Sequence, residues 1–199
     1  YAELVGNYTD AVSFAQRAAQ LAQRYENVRL EASAHLRWGA AIWRQGRYQE
    51  ARPHFETSLA LARRADLRDI EARSLHNIGV VHSAQGQLDE AMACYQDALS
   101  RYRVIQYKKG ESAALNNISI TLLKQGEYVQ ARHYSEQARQ LKEAIGDHIG
   151  AGIAYATLGE SARRLGQYEE ALAHQQRALQ LSQIAADSPG QSEAYINLA

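Results

Sequence analysis

Apolar and small residues recur at helical spacing in one segment after another along the chain. The i, i+3, i+4, i+7 pattern is clear at Ala91, Cys94, Tyr95, Ala98 and Leu99. This spacing places the side chains on one face of an α-helix, where a neighbouring element can bury them. The pattern continues along the chain, with links that are polar or contain glycine, and it predicts an all-α protein.

A six-residue motif, Gly-x-aromatic-x-acid-Ala, interrupts these helices every 40 residues. Its copies begin at Gly6, Gly46, Gly86, Gly126 and Gly166. Only Leu88 and Gln130 depart from the residue types. A fixed period of this length is typical of a solenoid, in which each repeat contacts its neighbours. Because glycine readily adopts the left-handed conformation that closes a helix, we predict a helix A before each glycine and a helix B after it.

The repeat assigns boundaries to both kinds of helix. We predict A helices at Leu30 to Gln45, Ile70 to Gln85, Glu111 to Gln125, Gly150 to Leu165 and from Gln191 onward. We predict B helices at Tyr8 to Tyr25, Tyr48 to Ala65, Leu88 to Val104, Tyr128 to Ile145 and Tyr168 to Ala185. Residues 1–199 are therefore expected to form a single array with five turn motifs, cut within a repeat at both ends.

Small residues mark the positions where helices A and B are expected to cross. Gly39, Gly79, Ser119 and Gly159 share one position on the A helices. Ala11, Ala51, Ala91, Ala131 and Ala171 share one on the B helices. Small side chains allow two backbones to approach closely. We therefore expect antiparallel A/B pairs.

These features together resemble the tetratricopeptide repeat. The turn glycine, the aromatic residue and the helix-B alanine are followed by a later small residue: Ala18, Ser58, Ala98, Ala138 and Ala178. The family's Leu-Gly pair has counterparts in Ile78-Gly79, Ile118-Ser119 and Leu158-Gly159. The usual period is about 34 residues. A period of 40 is similar to the long-repeat branch, which includes kinesin light chain, mitotic adaptors with Leu-Gly-Asn-rich repeats and sensor arrays of bacterial signal-transduction ATPases.

The resemblance implies an α-solenoid, a right-handed superhelix of antiparallel helix pairs whose A helices line a concave groove for a protein or peptide. Projected onto this face are Arg37, Trp43, Arg44, Arg73, His76, Asn77, Asn116, Asn117, Lys124, Thr157, Glu160, Arg163, Arg164 and Asn197. Asn77, Asn117 and Asn197 share one register, and a row of carboxamides can hold the backbone of an extended peptide. The alternative is that these amides satisfy helix ends or face water.

Basic residues outnumber acidic ones on the projected face. Because arginine pairs bidentately with carboxylates, this excess favours an acidic peptide as the ligand. An ordinary solvated surface is the alternative. Trp43 has two interpretations as well, since a large aromatic residue can anchor a partner or pack against the next repeat.

The whole-chain charge excludes other classes of partner. With 22 basic and 22 acidic side chains, no global field attracts nucleic acid or an anionic membrane. No apolar run approaches the ~20 residues of a membrane span, and the N-terminus lacks a signal pattern. A single cysteine, Cys94, fits a reducing compartment, so we expect a cytoplasmic protein. The excess of arginine over lysine points to a bacterial source.

No pattern of catalytic residues emerges. The seven histidines fall mostly in different repeats, without H-E-x-x-H spacing, and P-loop, G-x-S-x-G and dinucleotide motifs are missing. We therefore expect no enzyme, no metal site and no cofactor. The leading hypothesis is a protein-interaction module of a larger regulator. The alternatives are an array that self-associates through exposed ends and a small-molecule sensor.

Overall fold

The computed structural model describes the backbone of residues 2–185 and the side chains of residues 8–185. Within this range the chain forms α1 (Ala2–Arg24), α2 (Val28–Arg44), α3 (Tyr48–Arg64), α4 (Arg68–Ala84), α5 (Leu88–Val104), α6 (Lys108–Gln125), α7 (Tyr128–Ala144), α8 (His148–Arg164) and α9 (Tyr168–Ile184). The even-numbered helices are the predicted A helices, and the odd-numbered ones are the B helices. The all-α fold is confirmed. The predicted helix from Gln191 onward lies outside the described residues.

The four later B helices begin at the predicted residues, whereas each A helix begins two or three residues earlier than predicted. Asn27 and Asp147 explain two of these starts. Each side chain accepts a backbone N–H bond, from Leu30 at 3.0 Å and from Gly150 at 2.9 Å. Such caps satisfy donors in the first turn of a helix. The segment 108–110, which we expected in a link, instead forms the first turn of α6.

The turn glycines behave as predicted at four of the five motifs. Gly46, Gly86, Gly126 and Gly166 all have φ between 75° and 84°, in the left-handed region. The predicted break at Gly6 is wrong, because α1 runs through it.

A second set of left-handed residues closes the B helices. It consists of Glu26, Asp66, Gln106 and Gly146, again at a period of 40. The first three could not be recognised by residue type, because they are not glycine. Backbone bonds such as Leu67 N–H to Ala62 O, 2.9 Å, complete these turns. Both kinds of link are therefore tight reversals.

Within Tyr1–Ile105 and within Gln106–Ala199, consecutive described helices pack together across links of two or three residues, which makes them antiparallel pairs. The chain divides into two compact units, Tyr1–Ile105 and Gln106–Ala199. Unit 1 contains α1 to α5, and unit 2 contains α6 to α9. Within each unit the A helices also contact each other, α2 with α4 and α6 with α8. The single array over all 199 residues stays a prediction.

Each A/B crossing is formed by one residue of each helix, and we call these two residues the crossing pair. A Cβ on Gly39 would lie 2.7 Å from the Phe55 ring, and one on Gly79 would lie 2.7 Å from the Tyr95 ring. Gly159 and Gln175 form a third crossing pair, and the same two repeat positions in α6 and α7 are held by Ser119 and Ser135, which are both fully buried. A large B-helix residue therefore requires glycine opposite, whereas buried Ser135 is matched with serine.

Candidate partner-binding surface

Unit 1 carries a concavity of about 640 Å³ on the side where α2 and α4 lie next to each other. We call it the α1 seat. Its walls come from α1 with Tyr8, Ala11, Phe14, Ala15 and Ala18, from α2 with Ala34, Arg37, Ala40, Ala41 and Arg44, and from α4 with Arg73. The floor is apolar, and three guanidinium groups border it. Three of the predicted groove residues are thus brought to one cavity.

These three arginines have no carboxylate partner among the side chains of residues 8–185. Arg37, Arg44 and Arg73 are all exposed. The Arg44 guanidinium carbon lies 5.9 Å from the centroid of the Tyr8 ring, a cation–π contact that orients the group without neutralising it. The α1 seat is therefore bordered by positive charge that no carboxylate among the described side chains pairs with.

The two predicted groove arginines of unit 2, Arg163 and Arg164, are paired with a carboxylate. Glu160 accepts two bonds from Arg163, at 2.8 and 2.7 Å, and one from Arg164 at 2.7 Å. Hydrogen bonding from Arg163 is the main reason that the pKa of Glu160 is lowered, although partial burial opposes it. Lys124 is exposed, and no carboxylate among the described side chains pairs with it. The predicted basic face of unit 2 is consequently weaker than its sequence suggests.

The structure describes two members of the asparagine row, Asn77 and Asn117. The Asn77 amide donates to the carbonyl of Arg73, 2.8 Å away on its own helix, while remaining half-buried. Asn117 is half-buried, and its backbone carbonyl accepts a bond from Thr121. Asn197 lies outside the described residues. Peptide binding by this row stays a prediction.

Three further candidates lie largely within their own repeats. The His76 ring lies 5.5 Å from that of Tyr95, within unit 1. Asn116 is 9% exposed, and its side-chain oxygen has no hydrogen-bond partner. Thr157 is 6% exposed and donates to the Ile153 carbonyl at 3.1 Å. The burial of Asn116 and Thr157 leaves little of these two side chains for a ligand to contact, and the role of all three residues in binding remains a prediction.

Trp43 is half-buried against the core cluster that contains Phe55 and Ile78. Its ring lies 6.0 Å from that of Tyr48. The indole nitrogen is buried without a hydrogen-bond partner. These contacts are those expected if Trp43 packs within the fold. That Trp43 anchors a partner stays a prediction.

Sequence reasoning missed the α1 side of the cavity, because it assigned the groove to A helices alone. Tyr8, Phe14 and Ala15 form much of that wall. A signal for them does exist in the repeat. Ala15 occupies the position held by Phe55 and Tyr95 in the next two repeats, so the chain is locally short of volume there.

The fold and the crossing pairs define an α-solenoid of antiparallel helix pairs. A sequence model described as tetratricopeptide repeat matches residues 30–103, 110–184 and 153–199, and a second one matches residues 76–140. The chain belongs to the tetratricopeptide repeat family. A search among curated proteins gave no match.

Several solved structures share this fold at low sequence identity. BtubC (BKLC) from P. vanneervenii is 17% identical with a TM-score of 0.79, over 96% of this chain and 81% of that one. The Rap conjugation regulator of plasmid pLS20, solved with the Phr* peptide, is 20% identical with a TM-score of 0.80, over 96% of this chain and 53% of that one. A signal transduction ATPase with a tetratricopeptide repeat sensor, from Pyrococcus horikoshii, is 15% identical with a TM-score of 0.77, over 90% of this chain and 28% of that one.

The described residues were also compared with the requirements of a membrane-spanning helix and of a metal site. Among helices α1 to α9, none combines the length and apolarity that crossing a membrane requires. Within the described residues, no group of three or more His, Cys, Asp or Glu side chains is arranged to hold a metal ion.

Proposed function

We propose that this chain is a protein-interaction module that binds a carboxylate-bearing segment of a partner protein at the α1 seat. The observation that carries the proposal is the set of exposed arginines, Arg37, Arg44 and Arg73, which border an apolar concavity and have no carboxylate partner among the described side chains. Guanidinium groups bind carboxylates through paired, charge-assisted hydrogen bonds. An acidic segment supplies the missing negative charge and covers the apolar floor.

The comparisons support this proposal at the level of fold. The Rap regulator holds a peptide, and the ATPase uses its repeats as a sensor, as their descriptions state. A similar role here makes the chain the recognition part of a larger regulatory protein. We place that protein in the cytoplasm, where its half-buried Cys94 would stay reduced.

The test is a binding titration with a fluorescent peptide rich in Glu and Leu, and with a matched peptide in which Gln replaces Glu. We expect the acidic peptide to bind more tightly, and its affinity to fall about tenfold in the double variant Arg37→Gln/Arg73→Gln. Raising the salt concentration from about 50 mM to about 500 mM should weaken binding, because exposed charges are screened.

The matched control is Arg163→Gln/Arg164→Gln, which removes the same number of charges from unit 2. Because Glu160 already compensates these arginines, we expect this control to change the affinity less than about twofold. Equal losses in the two double variants, or no loss in either, would contradict a site at the α1 seat.

A further inference from the structure

Three residues that depart from the repeat lie together in unit 1: His35 and Trp38 of α2 and His54 of α3. At the position of Trp38, the later A helices carry the aliphatic residues Ile78, Ile118 and Leu158. At the positions of His35 and His54, the later pairs are Leu75 with Cys94, Leu115 with Tyr134 and Tyr155 with His174. None of these later pairs has two imidazoles, so the packing of the repeat does not require them.

The two imidazoles face each other through their Nδ1 atoms. These atoms are 3.3 Å apart, so in the neutral pair one ring donates a hydrogen bond and the other accepts it. A Zn–N bond is about 2.0–2.1 Å long, and two nitrogens of one tetrahedral site therefore lie about 3.3–3.4 Å apart. The spacing of the two Nδ1 atoms matches this distance. Each ring has to turn to direct its lone pair at an ion, because the lone pairs now face each other.

The surroundings of the pair hold one ring in place and leave further coordination positions open. The Trp38 ring stacks on that of His54, with the ring centroids 4.0 Å apart and the planes inclined by 25°. Glu31 precedes His35 by one helical turn, on the same side of α2. Within the described residues, no third His, Cys, Asp or Glu completes a set of ligands. Water and, after a change of rotamer, the Glu31 carboxylate can fill the remaining positions.

We propose that His35 and His54 bind a divalent transition-metal ion such as Zn²⁺ through their two Nδ1 atoms, and that the ion joins α2 to α3. Neutral imidazole is a preferred ligand of zinc, copper and nickel ions. The ring that carries its hydrogen on Nδ1 transfers it to Nε2, so the neutral pair releases no net proton on binding. This inference goes beyond the proposed function and does not depend on it, because neither histidine lines the α1 seat.

The test is a calorimetric titration of ZnCl₂ into the 199-residue chain at neutral pH, without an affinity tag and after metal has been removed with EDTA. We expect one Zn²⁺ to bind per chain. The affinity should fall at least about tenfold in His35→Leu and in His54→Tyr, because each variant loses one of the two imidazole ligands. His35→Leu copies Leu75 and Leu115, and His54→Tyr copies Tyr134, so both substitutions are compatible with the repeat.

The matched control is His174→Tyr, which makes the same substitution at the same repeat position in α9. The neighbour of His174 is the Tyr155 ring, with the ring centroids 5.8 Å apart, and not a second imidazole. We expect this control to change the affinity for Zn²⁺ less than about twofold. Equal losses in His54→Tyr and His174→Tyr would show that zinc binds scattered histidines, and would overturn the inference.

The stacking of Trp38 on His54 provides a second measurement that reports the position of the ion. Cu²⁺ binds the same kind of ligand as Zn²⁺ and quenches the fluorescence of a nearby indole. In Trp43→Phe, where Trp38 is the remaining tryptophan, we expect the emission to fall to a plateau at about one equivalent of Cu²⁺, as one site per chain requires. Adding His35→Leu should remove this plateau.

Circular dichroism in EDTA verifies that each variant is folded. If a histidine variant is unfolded, the quenching of Trp38 in the Trp43→Phe chain decides the question by itself. Quenching without a plateau, or a calorimetric titration without saturable Zn²⁺ binding, would leave His35 and His54 as a hydrogen-bonded pair and would overturn the inference.

Discussion

The two units are built from the same repeat, but the arginines on their A helices differ in whether a carboxylate pairs with them. Arg37, Arg44 and Arg73 of unit 1 border a cavity without carboxylates, whereas Arg163 and Arg164 of unit 2 are both bound by Glu160. The family fold sets where these side chains lie. It does not set whether their charge is available, which depends on single residues between the motif positions.

The crossing pairs of the two units differ in the same residue-by-residue way. Gly79 and Tyr95 form one in unit 1, and Ser119 and Ser135 form one in unit 2. The repeat tolerates both because the total volume at each crossing is adjusted in pairs. A change to one member alone should therefore cost stability in proportion to the mismatch.

The largest effect is expected for Gly79→Ala. The new Cβ would lie 2.7 Å from the Tyr95 ring and 3.1 Å from the Cys94 Cβ, so the helices must separate. We expect the free energy of unfolding to fall by about 2–3 kcal/mol, measured by urea denaturation. The control Ser119→Ala removes only a hydroxyl bonded to the Asn116 carbonyl and should cost about 1 kcal/mol or less. Equal losses would contradict the matched-volume account.

The second effect concerns the charge difference between the units. In a background of Arg37→Gln/Arg73→Gln, Glu160→Gln should release Arg163 and Arg164 from their carboxylate. We expect affinity for the acidic peptide to rise about tenfold, measured by titration, because two guanidinium groups become available. Adding Arg163→Gln and Arg164→Gln should abolish the gain. If Glu160→Gln does not raise the affinity for the acidic peptide, the pairing with Glu160 does not explain the difference between the units.

A third, smaller effect is expected at the turns that close the B helices. Gly146 of unit 2 and Asp66 of unit 1 hold the same left-handed position, with φ of 71° and 48°. Gly146→Ala should destabilise the protein by about 1 kcal/mol, because a Cβ is disfavoured there. Asp66→Gly should be neutral or stabilising by less than about 1 kcal/mol, since relief of strain offsets added unfolded-state entropy. The measurement is the thermal midpoint of unfolding of the two variants. A lower midpoint for Asp66→Gly would contradict the interpretation that Asp66 is strained at this position.

The smallest effect is a pH dependence that is specific to unit 1. His35 and His54 face each other with their Nδ1 atoms 3.3 Å apart, and Trp38 stacks on His54 at 4.0 Å. Burial lowers the pKa of both imidazoles, and the neighbouring His35 lowers that of His54 further. Glu31 partly opposes the shift at His35.

The direction of this pH dependence follows because folding disfavours the protonated forms of His35 and His54. Above the unfolded pKa of 6.5, both states are neutral; as the pH falls below it, the unfolded chain takes up protons first and stability decreases. We expect the urea midpoint to fall between about pH 7 and about pH 5. His35→Leu, which copies Leu75 and Leu115 at this repeat position, should flatten the decrease. If the urea midpoint of His35→Leu falls with pH as much as that of the unchanged protein, the His35–His54 pair is not the source of the decrease.

Local chemistry made most of the fold predictable. The left-handed glycines and the motif that follows them fixed the starts of the four later B helices, because turn and capping preferences act within a few residues. The starts of the A helices were placed too late, and the links at Glu26, Asp66 and Gln106 gave no glycine signal. At Glu26 and Asp66 the packed helices on either side of the link hold the backbone in this conformation.

The candidate site was predictable only in part. Arg37, Arg44 and Arg73 were assigned to the groove by periodicity, and the i, i+3 and i, i+4 spacing of Glu160 with Arg163 and Arg164 was readable as a source of compensation. The burial of Asn116 and Thr157 was not predictable from the same periodicity. It depends on how closely neighbouring helices approach, which the crossing pairs decide.

By itself, the sequence determined the 40-residue period, the helix pairs, the family and the residues on each A helix, because these follow from local spacing and turn preferences. Only the tertiary structure showed that residues of α1, α2 and α4 line one cavity, and that no carboxylate among the described side chains pairs with the three arginines at its border. The physical reason is that a cavity, and the charge available at its border, depend on side chains from different helices. A pattern along one helix cannot reveal which neighbours are present.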